Sequence, residues 1–456
     1  VNRAYTAVWG KDTIQTITNK LLRPSELFTG ELYEKIRNCL MPSFHDLESG
    51  KEHAYNEKQK RLIQSTSSKQ KIKGVAGSGK TLVLAKRAVN AHKRTNGRIL
   101  ILSFNITLRN YIRDRISDVR ESFPWSNFQI IHYHLFIRNQ CKVNGIEMNL
   151  ESYGNLNLFS SVEDRIEKFD AIFIDEIQDF KYEWQHILRK YFLAEGGELV
   201  LFGDEKQNIY NRMLEQDKKV KTTIPGAWNQ LNTSYRLSSR LTEIALDFQR
   251  YFFKDKYELD EIEFLEQLEL NFEGEDQQLH YYYIKNPITI HKRDTAYKII
   301  FEIIDKLGVH RNDLCFLGPK IELLRELEYY IRTVRRENTT RTFESKEVFE
   351  ALGCPDDRDT RLIKLRKERK YNFWMNAGTT KLSTIHSFKG WEINNLVLFI
   401  EQDQVIQDGR EHIALEELIY TGITRCRKNL IIINVANQEM NRFFKNIKNQ
   451  FDYKNI

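Results

Sequence analysis

The sequence predicts an α/β protein of two doubly wound parallel sheets, and three observations carry that expectation. Short apolar runs rich in β-branched residues recur in two series along the chain, helix-like stretches separate them, and a glycine-rich loop joins the first strand-like segment to the first long helix. The first series comprises residues 98–103 (RILILS), 128–131 (FQII), 170–175 (DAIFID) and 199–202 (LVLF), with a helix pattern such as 81–93 between them. The second comprises 279–284 (LHYYYI), 313–317 (DLCFL), 381–385 (KLSTI), 396–400 (LVLFI) and 430–435 (LIIINV). Strands covered on both faces read as unbroken apolar runs, as these do. Few prolines and no Gly/Ser-rich linker punctuate the chain, so pattern alone places the join near residues 225–245. The expected organisation is an N-terminal extension over 1–55, a first lobe over 56–235, and a second lobe over 236–456. Charged insertions interrupt the second lobe around 255–278 and 345–372.

Length and composition bound the function. A chain of 456 residues is worth about three domains at roughly 150 residues each, enough to house a built active site. Hydrophobic residues make up 41% and charged residues 29%, and no apolar run approaches the ~20 residues of a membrane helix, which excludes a membrane-spanning reading. The five cysteines (Cys39, Cys141, Cys315, Cys354, Cys426) are far apart and odd in number, against a disulfide scaffold or a cysteine metal site. No secretory start is visible, so a cytoplasmic protein is expected; Val1 fits either a removed initiator methionine or a later part of a longer product. The net charge of +7 favours a polyanionic partner. Residues 255–276 hold ten acidic side chains against Lys256 alone, so the rest of the chain is more basic than the total suggests. Leu259, Ile262, Leu265 and Leu268 recur there every three residues, which predicts an amphipathic helix with a solvated acidic face. The basic run from Arg358 to Lys370 is either a phosphate contact or an exposed insertion.

Residues 74–81 read GVAGSGKT, a complete G-x-x-x-x-G-K-[ST] between a strand-like segment and a helix pattern. Gly74, Gly77 and Gly79 let backbone N–H groups converge on phosphate oxygens at a helix N-terminus, while Lys80 reaches the β/γ-phosphates and Thr81 binds Mg²⁺. Asp175 and Glu176 end an apolar strand, at the sheet edge where ligands of open α/β sheets collect. Asp175 is expected to hold Mg²⁺ and Glu176 to polarise the attacking water. A third strand ends in 203–207 (GDEKQ), whose Gln207 can donate to a phosphate and accept from water together.

With these motifs in order, the chain resembles superfamily 1 helicases of the UvrD/Rep type, over about residues 56–434. The resemblance implies two RecA-like lobes, ATP and Mg²⁺ as cofactors, and 3′ to 5′ movement on single-stranded DNA driven by hydrolysis between the lobes. Residues 56–59 (NEKQ) look like the family's Q motif, so Gln59 would read the adenine edge, with Ser78 among the nucleotide-binding loop residues. Phe104, at the end of the motif Ia strand, and His134, in a T-x-H-like element, would touch the DNA strand. His132 and His134 form an i, i+2 pair that a strand would place on one side, but no third metal ligand is near. Residues 232–236 (NTSYR) resemble motif IV, with Tyr235 stacking on the adenine and Arg236 reaching the γ-phosphate. Residues 384–392 (TIHSFKGWE) resemble motif V, with Thr384 and His386 facing the DNA backbone and Glu392 the ribose. Residues 420–427 (YTGITRCR) resemble motif VI, with Arg425 as the second γ-phosphate finger; such a finger typically contributes ~10³–10⁵ in rate.

The departures from the family are also specific. Two positions after Tyr210 the family's stacking tryptophan is replaced by Arg212, and the spacing between motifs leaves no room for large inserted domains. A compact two-lobe motor is therefore expected, with Tyr210 and Arg212 on the nucleic acid. The alternative is an ATP-gated subunit that controls a partner nuclease or effector in a DNA repair or anti-phage defence system, without processive unwinding. Residues 1–55 match none of the helicase motifs and are similar, faintly, to the junction in helicases that follow a nuclease-related domain. A non-motor P-loop enzyme such as a kinase is disfavoured by the arginines of the second half.

Overall fold

A computed structural model describes residues 54–149, 151–210, 220–234, 237–260, 263–264, 277–285, 290–352, 355–401 and 415–455. The first lobe is a six-stranded parallel sheet of β1 (Lys69–Gly74), β2 (Ile99–Ser103), β3 (Phe128–His132), β4 (Phe169–Ile174), β5 (Leu193–Gly203) and β6 (Asn229–Leu231), in the order β3-β2-β4-β5-β1-β6. A two-stranded parallel pair, β7 (Thr233–Ser234) and β8 (Glu263–Phe264), follows it. The second lobe is a seven-stranded parallel sheet of β9 (Leu279–Ile284), β10 (Leu314–Gly318), β11 (Thr339–Arg341), β12 (Thr380–Thr384), β13 (Ile393–Glu401), β14 (Cys426–Val435) and β15 (Asp452–Asn455), in the order β11-β12-β10-β13-β14-β9-β15. The fold is therefore α/β with two RecA-like parallel-sheet lobes. Parallel neighbours need a crossover, and helices such as Lys80–Thr95 and Ile321–Thr333 supply it.

Alternation along the strands explains why both faces of each sheet are covered. In the first lobe Leu100, Leu102, Ile172, Ile174, Leu199 and Leu201 enter one core, while Ile99, Ile101, Ala171, Phe173, Val200 and Phe202 point the other way into a second. The second lobe repeats this, with Phe316, Val397, Phe399, Ile431 and Ile433 on one face and Leu317, Leu396, Leu398, Leu430 and Ile432 on the other. That last face and its counterpart in the first lobe belong to one continuous hydrophobic cluster. The bridge is local: Tyr111 packs its ring 5.2 Å from Trp391, and Asn110 donates to the carbonyls of Tyr371 (2.8 Å) and Phe373 (3.0 Å).

One sequence expectation changes over the described part of the acidic stretch. Tyr257 to Asp260 run as a bend and irregular chain, not helix, and the short strand β8 follows; the remainder of the acidic stretch lies outside the described residues. The reason is tertiary pairing. Asp260 is drawn inward to accept from Lys206 Nζ (2.8 Å) and Gln249 Nε2 (2.8 Å), whereas Glu258, paired with Lys73 (2.9 Å), stays exposed. The basic run is a helix, Pro355–Tyr371, placed with Lys346–Ala351 between β11 and β12. Within it Arg366 is committed to the buried Glu344 (2.7 Å), so only part of its charge is free for a ligand. Among the described residues no helix is long and apolar enough to cross a membrane.

Candidate functional site

The loop of residues 74–79 leaves β1 and enters the helix Lys80–Thr95 with Gly77 at φ +77° and Gly79 at φ +81°. A side chain at Gly79 would be strained by that φ, and its Cβ would also lie 2.9 Å from Gln59 Nε2. Gln59 is itself fixed. Its amide oxygen accepts from Asn56 N (3.1 Å) in a capping box, and its Nε2 donates to the carbonyl of Ser78 (3.1 Å), so it braces the loop from behind. The Ser78 hydroxyl is buried without a hydrogen-bond partner. Lys80 folds over the loop, its Nζ donating to the carbonyls of Gly74 (2.7 Å) and Val75 (3.3 Å) and standing 3.9 Å from Asp204.

β5 lies between β1 and β4, which brings the strand-end acids to the same edge as the loop. Asp175 is buried; its Oδ1 accepts from Glu176 N (3.1 Å), whereas Oδ2 has no partner. Burial and the adjacent Glu176 charge push its carboxyl up to about 7. An orphaned carboxylate oxygen at this depth, with the Thr81 hydroxyl on the first turn of the loop's helix, fits a hard divalent cation. Mg²⁺ commonly takes few protein oxygens and completes its shell with water and substrate phosphates. Among the described residues no group of three or more His, Cys, Asp or Glu side chains is placed to hold a metal. Glu176 sits at φ 54°, ψ 52°, a left-handed conformation that costs a non-glycine residue of order 1–3 kcal/mol and turns its carboxylate toward Gln178 and Lys389.

The second lobe reaches this edge at two points. Arg425 donates from Nη2 to Gln207 Oε1 (2.9 Å), its Nε being held by the carbonyl of Thr421 (3.1 Å); Gln207 in turn donates to Asp204 (2.9 Å). Lys389 donates to both oxygens of Asp179 (2.8 Å each) and to the carbonyl of Gln207 (2.7 Å), and its ammonium is 3.7 Å from Glu176. Lys389 stands within residues 384–392, but the sequence alone assigns no role to it or to Asp179. A lysine before a glycine carries no signal of a partner 210 positions away. Glu392 lies in the link between Trp391 and β13.

A separate group of aromatic side chains gathers beside the same edge. Phe104 packs edge-to-face on Tyr210 (4.9 Å) and on His134 (5.7 Å) and stacks on Trp184 (6.0 Å), while His386 faces Tyr210 at 6.2 Å. Four of the expected strand-contacting residues thus come together. His386 Nε2 is buried without a partner, and burial followed by the charges of Lys370 and Lys389 pushes its pKa down to about 4, so the ring is neutral. The Thr384 hydroxyl is occupied as the N-cap of the short helix Ile385–Phe388, bonding Ser387. The carbonyls at the other end of that helix accept from Asn105 Nδ2, at His386 (3.0 Å), Ser387 (3.1 Å) and Lys389 (3.1 Å). His132 and His134 do not share a strand face: β3 ends at His132, and His134 belongs to the helix Tyr133–Val143. Arg212, Tyr235 and Arg236 lie outside the described residues.

No curated protein matches the chain. Residues 59–212, from the glutamine behind the loop to just past the aromatic group, match the family model of an AAA domain, so the chain carries an AAA-type P-loop NTPase domain.

Proposed function

We propose that the protein is an ATP-dependent motor of the UvrD-like helicase kind, which moves 3′ to 5′ along single-stranded DNA by closing and opening its two lobes around ATP. The observation that carries this reading is the pair of bonds across the lobes, Arg425 to Gln207 and Lys389 to Asp179, which tie the second lobe to the strand ends beside the phosphate loop. Hydrolysis at that edge is then sensitive to the relative position of the lobes. The Lys80 ammonium would exchange the carbonyls of Gly74 and Val75 for phosphate oxygens, and Arg425 would pass from Gln207 to the same charge. Thr81 and Asp175 would hold Mg²⁺, whose charge neutralises the phosphates. Glu176 would take the proton of the attacking water, with the Lys389 ammonium 3.7 Å from its carboxylate. Gln59, bonded to the loop, would report base occupancy to the phosphate-binding backbone. The Phe104, Tyr210, His134 and His386 group beside the site is where a DNA strand would be felt.

A second reading, an ATP-gated subunit that controls a nuclease or effector without unwinding, draws on the same aromatic group. Its rings are packed on each other and on Trp184, so they offer a strand few open stacking faces. Steady-state hydrolysis across a titration of single-stranded DNA separates the two. A motor couples its ligands reciprocally and is stimulated; a gate is indifferent to DNA. Lys80→Ala is expected to abolish turnover, and Glu176→Gln to abolish it while retaining ATP binding. Normal turnover in either variant refutes the site.

A further inference from the structure

Beyond the aromatic group, on the far side of β3, a groove of about 330 Å³ opens between the helix Leu108–Ser117, the β3 edge and the end of the basic helix. Its walls include Arg109, Arg113, Trp125, Ile130, His132 and Tyr371, the last from the second lobe. Cations sit on its aromatic faces: the Arg113 guanidinium is 4.7 Å from the Trp125 ring centroid, and Arg109 and Lys367 are each 6.0 Å from that of Tyr371. Among the described residues none of Arg109, Arg113, Arg138 and Lys367 is paired with a carboxylate. This contrasts with Arg366 one residue away, which Glu344 holds. The field in the groove is accordingly positive. His132, pressed first by burial and then by His134, Lys367, Arg138 and Arg109, is pushed down to about 3 and stays neutral, its Nδ1 3.4 Å from the Tyr371 hydroxyl.

Unpaired guanidinium groups above an apolar floor suit a ligand with an anionic and an aromatic part, and the volume is of the order of one nucleotide. Resting on the reading above, we propose that this groove seats a single nucleotide of the bound strand, with its base against Trp125 and Ile130 and its phosphates met by Arg109 and Arg113. The seat joins both lobes, because Asn110 of the first fixes the backbone of Tyr371 of the second. Lobe movement therefore changes the grip on this nucleotide.

The test is fluorescence anisotropy of a 5′-labelled oligothymidine with the full chain, over a series of salt concentrations. The wild type is compared with Arg109→Ala/Arg113→Ala, with Trp125→Ala and with Trp125→Phe. Each phosphate contact on a single strand contributes about 0.7 to the slope of log affinity against log salt, so the double variant should lose about 1.4 of slope and roughly tenfold or more in affinity. Trp125→Ala should weaken binding, and Trp125→Phe should restore most of it. Binding of a fluorescent ATP analogue, unchanged in all variants, reports that the first lobe is intact. Wild-type affinity and slope in the double variant overturn the groove while leaving the motor reading standing. Absence of strand binding by the wild type overturns both. Equal displacement of the strand by the mononucleotide dTMP at the same phosphate concentration overturns the strand as occupant.

Discussion

Replacing Lys389 by methionine keeps the length of the side chain and removes its charge. Lys389 is 1% exposed, Asp179 is equally buried, and three of the ammonium's contacts are 2.8 Å or shorter. Removing one partner of a buried pair typically costs about 3–5 kcal/mol, because the other charge is left desolvated. Asp179 can recover water if the lobes part, so the penalty falls on the closed arrangement rather than on the folding of either lobe. A shift of about 3 kcal/mol in that equilibrium corresponds to about 10²-fold. DNA-stimulated kcat for ATP should fall by about that factor in Lys389→Met, with nucleotide binding changed by less than about threefold. Asp179→Asn in the same background should recover part of the loss, since the stranded charge is gone, giving a coupling of about 1–3 kcal/mol in the double-mutant cycle. Wild-type turnover in Lys389→Met, or losses that simply add in the double variant, would refute the assignment of this lysine to lobe closure.

Gly390 has φ +89°, and a Cβ there would lie 2.3 Å from Leu108 Cδ1 across the lobe contact. Gly390→Ala should therefore cost about 1–3 kcal/mol in urea unfolding, and Leu108→Ala in the same chain should relieve the steric part but not the backbone part; an unchanged midpoint counts against the contact. Glu344 is buried, which opposes its ionisation, but bonds and charges from Arg366 and Arg325 outweigh burial and hold it below its ordinary 4.5. Its depressed folded value stabilises the protein fully above the ordinary carboxylate range, and that contribution is lost as pH falls through the folded value. Urea midpoints measured downward from pH 6 should drop more steeply in the wild type than in Glu344→Gln, and parallel curves would refute the pairing.

The longest apolar runs were legible as strands because burial on both faces leaves their composition little choice. β2 and β4 lie within a residue of the expected runs, and the phosphate loop fell between strand and helix as its glycines require. Three of the four edge strands of the two large sheets were not legible: β6, β11 and β15 are three or four residues long and largely polar, held by ladder bonds to a neighbour rather than by their own side chains, whereas the apolar edge strand β3 was. His134 was misplaced because the chain passes from strand to helix at His132 without a capping side chain to mark the change. The leucine spacing after Asp255 suggested a helix, yet Asp260 finds Lys206 and Gln249, partners 54 and 11 positions away that no local period encodes. The same limit hid Lys389, Asp179 and Asn105. Sequence motifs name the residues at each strand end, whereas contacts between lobes depend on how two separately folded surfaces meet.

The Asn105 amide offers two hydrogens to three carbonyls, all within 3.1 Å, at the end of the short helix of the opposite lobe. The Thr107 hydroxyl also donates to the Ser387 carbonyl, so two side chains of the first lobe share one row of carbonyls on the second. Parting the lobes at this point breaks all of these bonds together, so the contact acts as one latch rather than as a set of independent ties.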